Sequence, residues 1–191
     1  MQPFDENFEL IKASKEGDHN ALNKLVQIYS EPVHSFIFSV LHDPRIVEDL
    51  AQETFLRMIN ALPSYEFRAP FKSWLFRIAV NLCRDHLRRR KIRRIVSLFQ
   101  DYEVEGELNW KDTALDPEQT LEKKERLERI HQALKQLPEQ LRMVFILRDV
   151  QDMTYEEIAE ALQWQLGTVK SRLFRARNEL AKKLNPHWED V

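Results

Sequence analysis

Apolar residues recur every three or four positions along almost the whole chain, and no stretch shows the alternation of a half-buried strand. The pattern predicts helices near 6–16, 18–41, 44–61, 70–91, 117–136, 139–149, 154–162 and 167–184, an all-α fold. Asp43-Pro44, Leu62-Pro63 and Ala69-Pro70 punctuate the first half, because a residue that precedes proline disfavours the helical region. Between about 95 and 116 the periodicity fails. The segment 96–117, with Gln100-Asp101-Tyr102-Glu103-Val104-Glu105-Gly106-Glu107 at its centre, reads as an acidic linker between two small helical domains, 1–95 and 118–191.

The C-terminal domain carries a helix-turn-helix pattern. Thr154-Tyr155-Glu156-Glu157 fits a capping box, in which Thr and the Glu three residues later satisfy the first free amides. Ile158, Ala161 and Leu162 then form an apolar stripe, Gln163-Trp164-Gln165-Leu166 breaks the helix, and a second helix opens at Gly167-Thr168. At 100° per residue, Val169, Leu173, Ala176 and Leu180 share the inward face of that second helix. Thr168, Ser171, Arg175 and Asn178 point the opposite way, Arg172 flanks them, and Lys170 and Arg177 lie to the other side, suited to phosphates. Arginine can contact guanine bidentately and Ser or Thr adapts to several base edges, so this face suits a major groove. The bland alternative is the solvated face of an ordinary bundle helix.

The predicted helix over 70–91 has a core stripe of Phe71, Leu75, Ile78, Ala79, Leu82 and His86. Its other side gathers Ser73, Arg77, Asn81, Arg84 and Arg88, and continues into the basic run Arg88-Arg89-Arg90-Lys91-Ile92-Arg93-Arg94. Aromatic rings beside a basic face can stack on unpaired bases while arginines follow the backbone. Phe67, Phe71, Trp74 and Phe76 are the available rings, although each alone is more often core than platform. The helix over 44–61 differs. Val47, Leu50, Ala51, Thr54, Phe55, Met58 and Leu62 form its inward side, while Glu48, Asp49, Gln52 and Glu53 point outward around Leu56. An apolar residue ringed by carboxylates is compatible with a protein-binding patch, although a lone exposed leucine often has no role.

Charge sharpens this picture only when it is divided. The net charge of −2 hides +3 over residues 1–95, −6 over 96–125 and +1 over 126–191. The three glycines, Gly17, Gly106 and Gly167, leave little room for hairpins. Met1-Gln2-Pro3-Phe4-Asp5-Glu6 lacks the basic start and apolar run of a secretory signal, and no apolar run is long enough to span a bilayer. A single cysteine, Cys83, excludes an internal disulfide and suits a reducing cytoplasm.

These blocks, in this order, resemble the sigma-70 family, and specifically its short extracytoplasmic-function (ECF) members. The resemblance covers roughly residues 18–91 and 118–184. It rests on Glu48-Asp49-Leu50-Ala51-Gln52-Glu53-Thr54-Phe55, on Trp74-Leu75-Phe76-Arg77-Ile78-Ala79-Val80-Asn81, and on Gly167-Thr168-Val169-Lys170-Ser171-Arg172. It implies two helical domains, regions 2 and 4, that bind core RNA polymerase through its β′ clamp helices and β subunit and direct initiation at promoter DNA, as in stress responses. Glu48, Asp49, Gln52, Glu53 and Leu56 would dock on the polymerase. Ser73, Trp74, Arg77, Asn81, Arg84 and Arg88 would bind and help melt the −10 element, with Asn81 near a flipped base. Thr168, Lys170, Ser171, Arg172, Arg175 and Asn178 would read the −35 element. The acidic linker would thread toward the active centre. Many members are held by an anti-sigma factor, membrane-anchored or soluble, so such a partner is an expectation; a homo-oligomer is not. The family commonly has a proline shortly before the Gly-Thr of the recognition helix, where this chain has Gln165-Leu166, which leaves the promoter sequence it reads open.

Two other classes compete with this reading. A stand-alone helix-turn-helix regulator would need a ligand or receiver domain, and no βαβ pattern is present. A DNA-processing enzyme would need a catalytic set, and there is neither a glycine-rich phosphate loop nor a complete metal-ligand spacing. Cys83 and His86 lie three apart beside the core stripe without two further ligands, and Glu48, Asp49 and Glu53 have no second acidic cluster to pair with. No catalytic residue, metal or cofactor is therefore expected.

Overall fold

The computed structural model describes residues 5–98 and 120–185, all helices and their connections. The N-terminal half contains α1 (Phe8–Lys15), α2 (His19–Leu41), α3 (Pro44–Ala61), a 3₁₀ turn (Leu62–Ser64) and α4 (Phe71–Leu98). The C-terminal half contains α5 (Thr120–Lys135), α6 (Glu139–Phe145) running into a π-helical turn (Ile146–Val150), α7 (Tyr155–Leu162) and α8 (Leu166–Leu184). No strand occurs among the described residues, and no helix among them is long and apolar enough to cross a membrane.

The caps explain where the helices begin. The Asp18 carboxylate accepts the backbone N–H groups of Asn20 and Ala21 at 2.8 and 3.1 Å, and so starts α2. Asp43 accepts from the Arg45 N–H, and Pro44 stands in the first turn of α3, where its missing donor costs nothing. Gly17, at φ 94°, turns the chain from α1 into α2 in a conformation that L side chains rarely adopt.

Two elements depart from the sequence reading. Helix α4 runs on to Leu98, beyond the expected end at 91 and into the start of the expected linker. The rest of that linker falls on residues 99–119, outside the described residues. The helix expected over 139–149 widens after Phe145, and the N–H groups of Gln151 and Met153 reach back five and six residues, to the carbonyls of Ile146 and Leu147. Such a widening alters the direction of the chain without breaking its hydrogen bonds.

Both halves share one apolar core. It contains Leu25, Phe36, Phe55, Leu75, Phe76 and Val80 from the first half, and Val144, Leu147, Ile158, Leu162, Val169 and Leu173 from the second. Helix α4 is the hub, packed on α2 and α3 on one side and on α7 on the other. This double packing explains why Phe76, Val80, Cys83 and Ser73 are fully buried beside the anticipated stripe of Phe71, Leu75, Ala79 and Leu82. Ala133, Leu134, Leu137 and Leu180 form a smaller cluster between α5 and α8.

Candidate functional site

On α3 the predicted inward residues Val47, Ala51, Thr54, Phe55 and Met58 are buried, as is Leu62 at its end. Pointing away from them, Glu48, Asp49 and Gln52 are exposed and Glu53 is half-exposed. Leu56 stands among these side chains with 56 % of its surface open to solvent. The acidic face is braced by its neighbours. Glu48 accepts hydrogen bonds from Gln52 Nε2 and pairs with His34 Nε2, both at 3.0 Å, and the His34 contact leads in holding the Glu48 carboxyl below its ordinary range. Glu53 pairs with Arg57 one turn on, at 2.6 Å. His34, Phe38, Val47 and Glu48 line a shallow depression of about 300 Å³ next to this face. His34 and Arg57 carried no weight in the sequence reading, because the first belongs to another helix and the second lies past the acidic block.

On α4 the six residues expected to contact the −10 element separate into distinct environments. Asn81 and Arg88 are exposed, with Arg88 paired to Asp85 at 3.1 Å. Trp74 is half-buried and lies 5.0 and 5.4 Å from the rings of Tyr65 and Phe71. Ser73 is wholly buried, and its hydroxyl has no hydrogen-bond partner among the described residues. Arg77 and Arg84 point across the seam toward α7. Arg77 pairs with Glu160 at 3.2 Å, and Arg84 donates to the Leu162 carbonyl at 3.4 Å with its guanidinium 5.8 Å from the Trp164 ring. Burial lowers the Arg84 pKa from its ordinary value. The first helix of the helix-turn-helix thus covers one edge of the basic face and leaves the Asn81–Arg88 edge open. Sequence periodicity could assign these side chains to one face of α4, but not show that a distant helix lies along part of it.

More contacts close the same seam. Lys72 donates to the Gln151 carbonyl, and Arg142 Nη1 donates to the Val40 carbonyl at 2.9 Å. His42, at the left-handed C-cap of α2, faces His131 of α5 at 6.3 Å, and the Phe38 ring lies 5.7 Å from that of His131. His42 Nε2 is buried without a partner, and burial, then the Arg142 charge, pushes its pKa down from 6.5 to about 3.

The capping box of α7 is complete: Thr154 Oγ1 accepts from the Glu157 N–H at 3.2 Å, and the Glu157 carboxylate accepts from the Thr154 N–H at 2.7 Å. Gln163 ends α7 in the left-handed conformation, φ 55°. In α8, Val169, Leu173, Ala176 and Leu180 are buried, as their spacing predicts. Lys170, Ser171, Arg175 and Asn178 are exposed, while Thr168 and Arg172 are half-buried. The Ser171 hydroxyl donates to the Thr168 carbonyl at 3.1 Å, while Arg172 lies 4.0 Å from the Trp164 ring. Arg177, read as a phosphate contact, is bound to Asp149 at 2.7 and 3.3 Å, and those bonds raise its pKa. Phe174, not singled out from the sequence, is 68 % exposed on the same helix. Among the described residues no group of three or more His, Cys, Asp or Glu side chains could hold a metal ion.

Two family models match this chain: Sigma-70 region 2 over residues 25–93 and Sigma-70 region 4 over residues 127–180. The chain is 35 % identical over 189 residues to the RNA polymerase sigma-H factor of Pseudomonas aeruginosa, with 97 % of each chain covered. It is 33 % identical over 180 residues to the ECF RNA polymerase sigma factor SigW of Bacillus subtilis, covering 91 % of this chain and 94 % of the relative. Among solved structures, the sigma factor RpoE of Bartonella quintana, in complex with the anti-sigma factor NepR, is similar with a TM-score of 0.67 at 25 % identity, covering 85 % of this chain and 95 % of that one. CnrH in complex with the cytosolic domain of CnrY shares the fold at the same TM-score and 24 % identity, covering 92 % of this chain and 94 % of that one.

Proposed function

Since the chain belongs to the sigma-70 family, within its ECF class, and is an RNA polymerase sigma factor, we propose how its surfaces divide the work of initiation. Residues 1–95 form the region 2 domain and 118–191 the region 4 domain, joined by the acidic linker 96–117. The face of Glu48, Asp49, Gln52, Glu53 and Leu56 docks on the β′ clamp helices of core polymerase. Trp74, Arg77, Asn81, Arg84 and Arg88 serve the −10 element, whereas Ser73, wholly buried, does not reach DNA in this arrangement. Thr168, Lys170, Ser171, Arg172, Arg175 and Asn178 serve the −35 element in the duplex major groove. The protein acts in the cytoplasm, holds no catalytic centre of its own, and is restrained by an anti-sigma factor, as its Bartonella relative is bound by NepR.

The observation that carries this reading is Leu56, an exposed apolar side chain among carboxylates that are already ordered by His34, Gln52 and Arg57. A DNA reader that worked alone would have no use for it, whereas a protein partner would cover it. Arg77 and Arg84 can reach single-stranded DNA only after α7 leaves α4, so the two halves must part when the chain joins the polymerase. Transcription reconstituted with core polymerase is the test. Initiation from a defined promoter, lost when Leu56 becomes Asp in a folded chain, is the expected result. A chain that binds duplex promoter DNA unaided and gives no initiation with core overturns the proposal.

A further inference from the structure

Trp164 sits half-buried in the turn between α7 and α8. Backbone bonds hold the turn. The Trp164 N–H donates to the Ala159 carbonyl at 2.9 Å, and the Gln165 carbonyl accepts from Thr168 and Val169 at 2.9 and 3.1 Å. Gln165 itself provides no side-chain cap. The indole ring is therefore the bulky group at the entrance to α8, and what it touches is decided by geometry.

It touches Arg172. The guanidinium carbon lies 4.0 Å from the ring centroid, against 5.3–6.0 Å for the other cation–ring pairs described. Long helical side chains lean toward the helix N-terminus, which takes Arg172 back over the turn. A separation of 4.0 Å is that of a planar guanidinium lying on a ring, an arrangement that leaves its N–H groups at the rim. Other arginines are already bound: Arg77 to Glu160, Arg84 to Leu162 and Arg142 to Val40 across the seam, and Arg177 to Asp149 within the C-terminal half. Arg172 has no hydrogen bond or ion pair among the described residues, so its place is fixed while its donors remain unused. Arg84 also approaches the same ring, at 5.8 Å, but it belongs to α4 and departs when the halves separate. The Arg172 contact lies wholly within the turn and its helix, and persists.

We propose that Trp164 is a positioning residue for promoter recognition, holding Arg172 on the flank of α8 so that its free donors meet the edge of the −35 duplex. This rests on the reading of α8 as the −35 helix.

The test measures the affinity of reconstituted holoenzyme for promoter duplex with W164L, W164F, R172A, R172K, R175A and the double variant W164L/R172A. W164L and R172A are each expected to weaken binding about two- to five-fold, the range for an exposed cation–ring contact. The double variant should be no weaker than R172A, and W164F, which keeps a ring, should retain most of the affinity. R172K keeps the charge and leaves the turn untouched, so it probes the stack even if W164L folds poorly; it should lose about as much as W164L. A purely structural tryptophan would give the same loss whether or not Arg172 is present. Losses that multiply in the double variant, full affinity with R172K, or full affinity with W164L or R172A overturn the proposal. If R175A weakens binding while W164L and R172A do not, the Trp164 role fails and the −35 reading stands. If none of the three has an effect, the −35 reading fails with it.

Discussion

His42 makes the seam between the two halves sensitive to pH. Its Nε2 is buried without a partner among the described residues, and Arg142 of α6 and His131 and Lys135 of α5 all disfavour a positive charge there. The adjacent Asp43 carboxylate is engaged by the Arg45 N–H groups at the start of α3. In the folded chain the imidazole pKa lies near 3, pushed down from 6.5 chiefly by burial. Between those values the unfolded chain binds a proton that the folded chain refuses. The stability from this residue is therefore complete above about 6.5 and is lost as the pH falls. At pH 5.5 a histidine with the ordinary value of 6.5 is about ten-elevenths protonated, which favours the unfolded chain by a factor of about 11, or ~1.4 kcal/mol. Part of the ring meets water, which reduces the figure to roughly 1 kcal/mol. Urea unfolding of the wild type and of His42→Asn, at pH 7.5 and 5.5, isolates the effect. Asn tolerates the left-handed backbone at this position and does not titrate. The wild type should lose roughly 1 kcal/mol more than the variant over this interval. Equal losses would show that His42 takes up its proton freely in the closed seam and that its burial does not set the pH dependence of stability.

The remaining predictions address the two faces and the cap. Reversing charge at Asp49 and Glu53 should weaken binding to core polymerase while leaving the melting temperature within a few degrees, because both side chains lie on the outer face of α3; unchanged affinity by titration removes that face from the interface. Arg175→Ala should cost about 1–3 kcal/mol of discrimination between promoter sequences if the side chain reads guanine, and an equal loss on every sequence would make it a phosphate contact. Glu160→Gln removes a partly exposed pair worth about 0.2–1 kcal/mol, so the free chain should bind single-stranded −10 DNA up to about five-fold more tightly. A lower affinity would place Glu160 on the DNA side of the balance. Thr154→Ala should destabilise the chain by about 1 kcal/mol in denaturant titration, through the lost cap of α7.

Much of the molecule was legible because local rules act within a few residues. Helical periodicity located the eight α-helices found among the described residues, and the Thr154–Glu157 box fixed where the helix-turn-helix begins. The inward stripes of α3 and α8 followed from spacing alone, since each of these helices buries one side. The same reasoning came up short on α4. A helix packed from two sides buries residues that a single-stripe argument assigns to solvent, and Ser73 is one of them. Arg177 illustrates a second gap: a basic residue on a DNA-binding helix reads as a phosphate ligand until Asp149, 28 positions away, is found beside it.

Sequence alone determined the course of the helices, the cap of α7 and the outward acidic face of α3, because each depends on neighbours three or four positions apart. Tertiary structure alone decided how much of the basic face of α4 stays open. Arg77 meets Glu160 across 83 residues and Arg84 reaches Leu162 across 78, and Trp164 receives arginines from two helices. No periodicity encodes such meetings, which arise only when two separately patterned apolar faces are buried against each other.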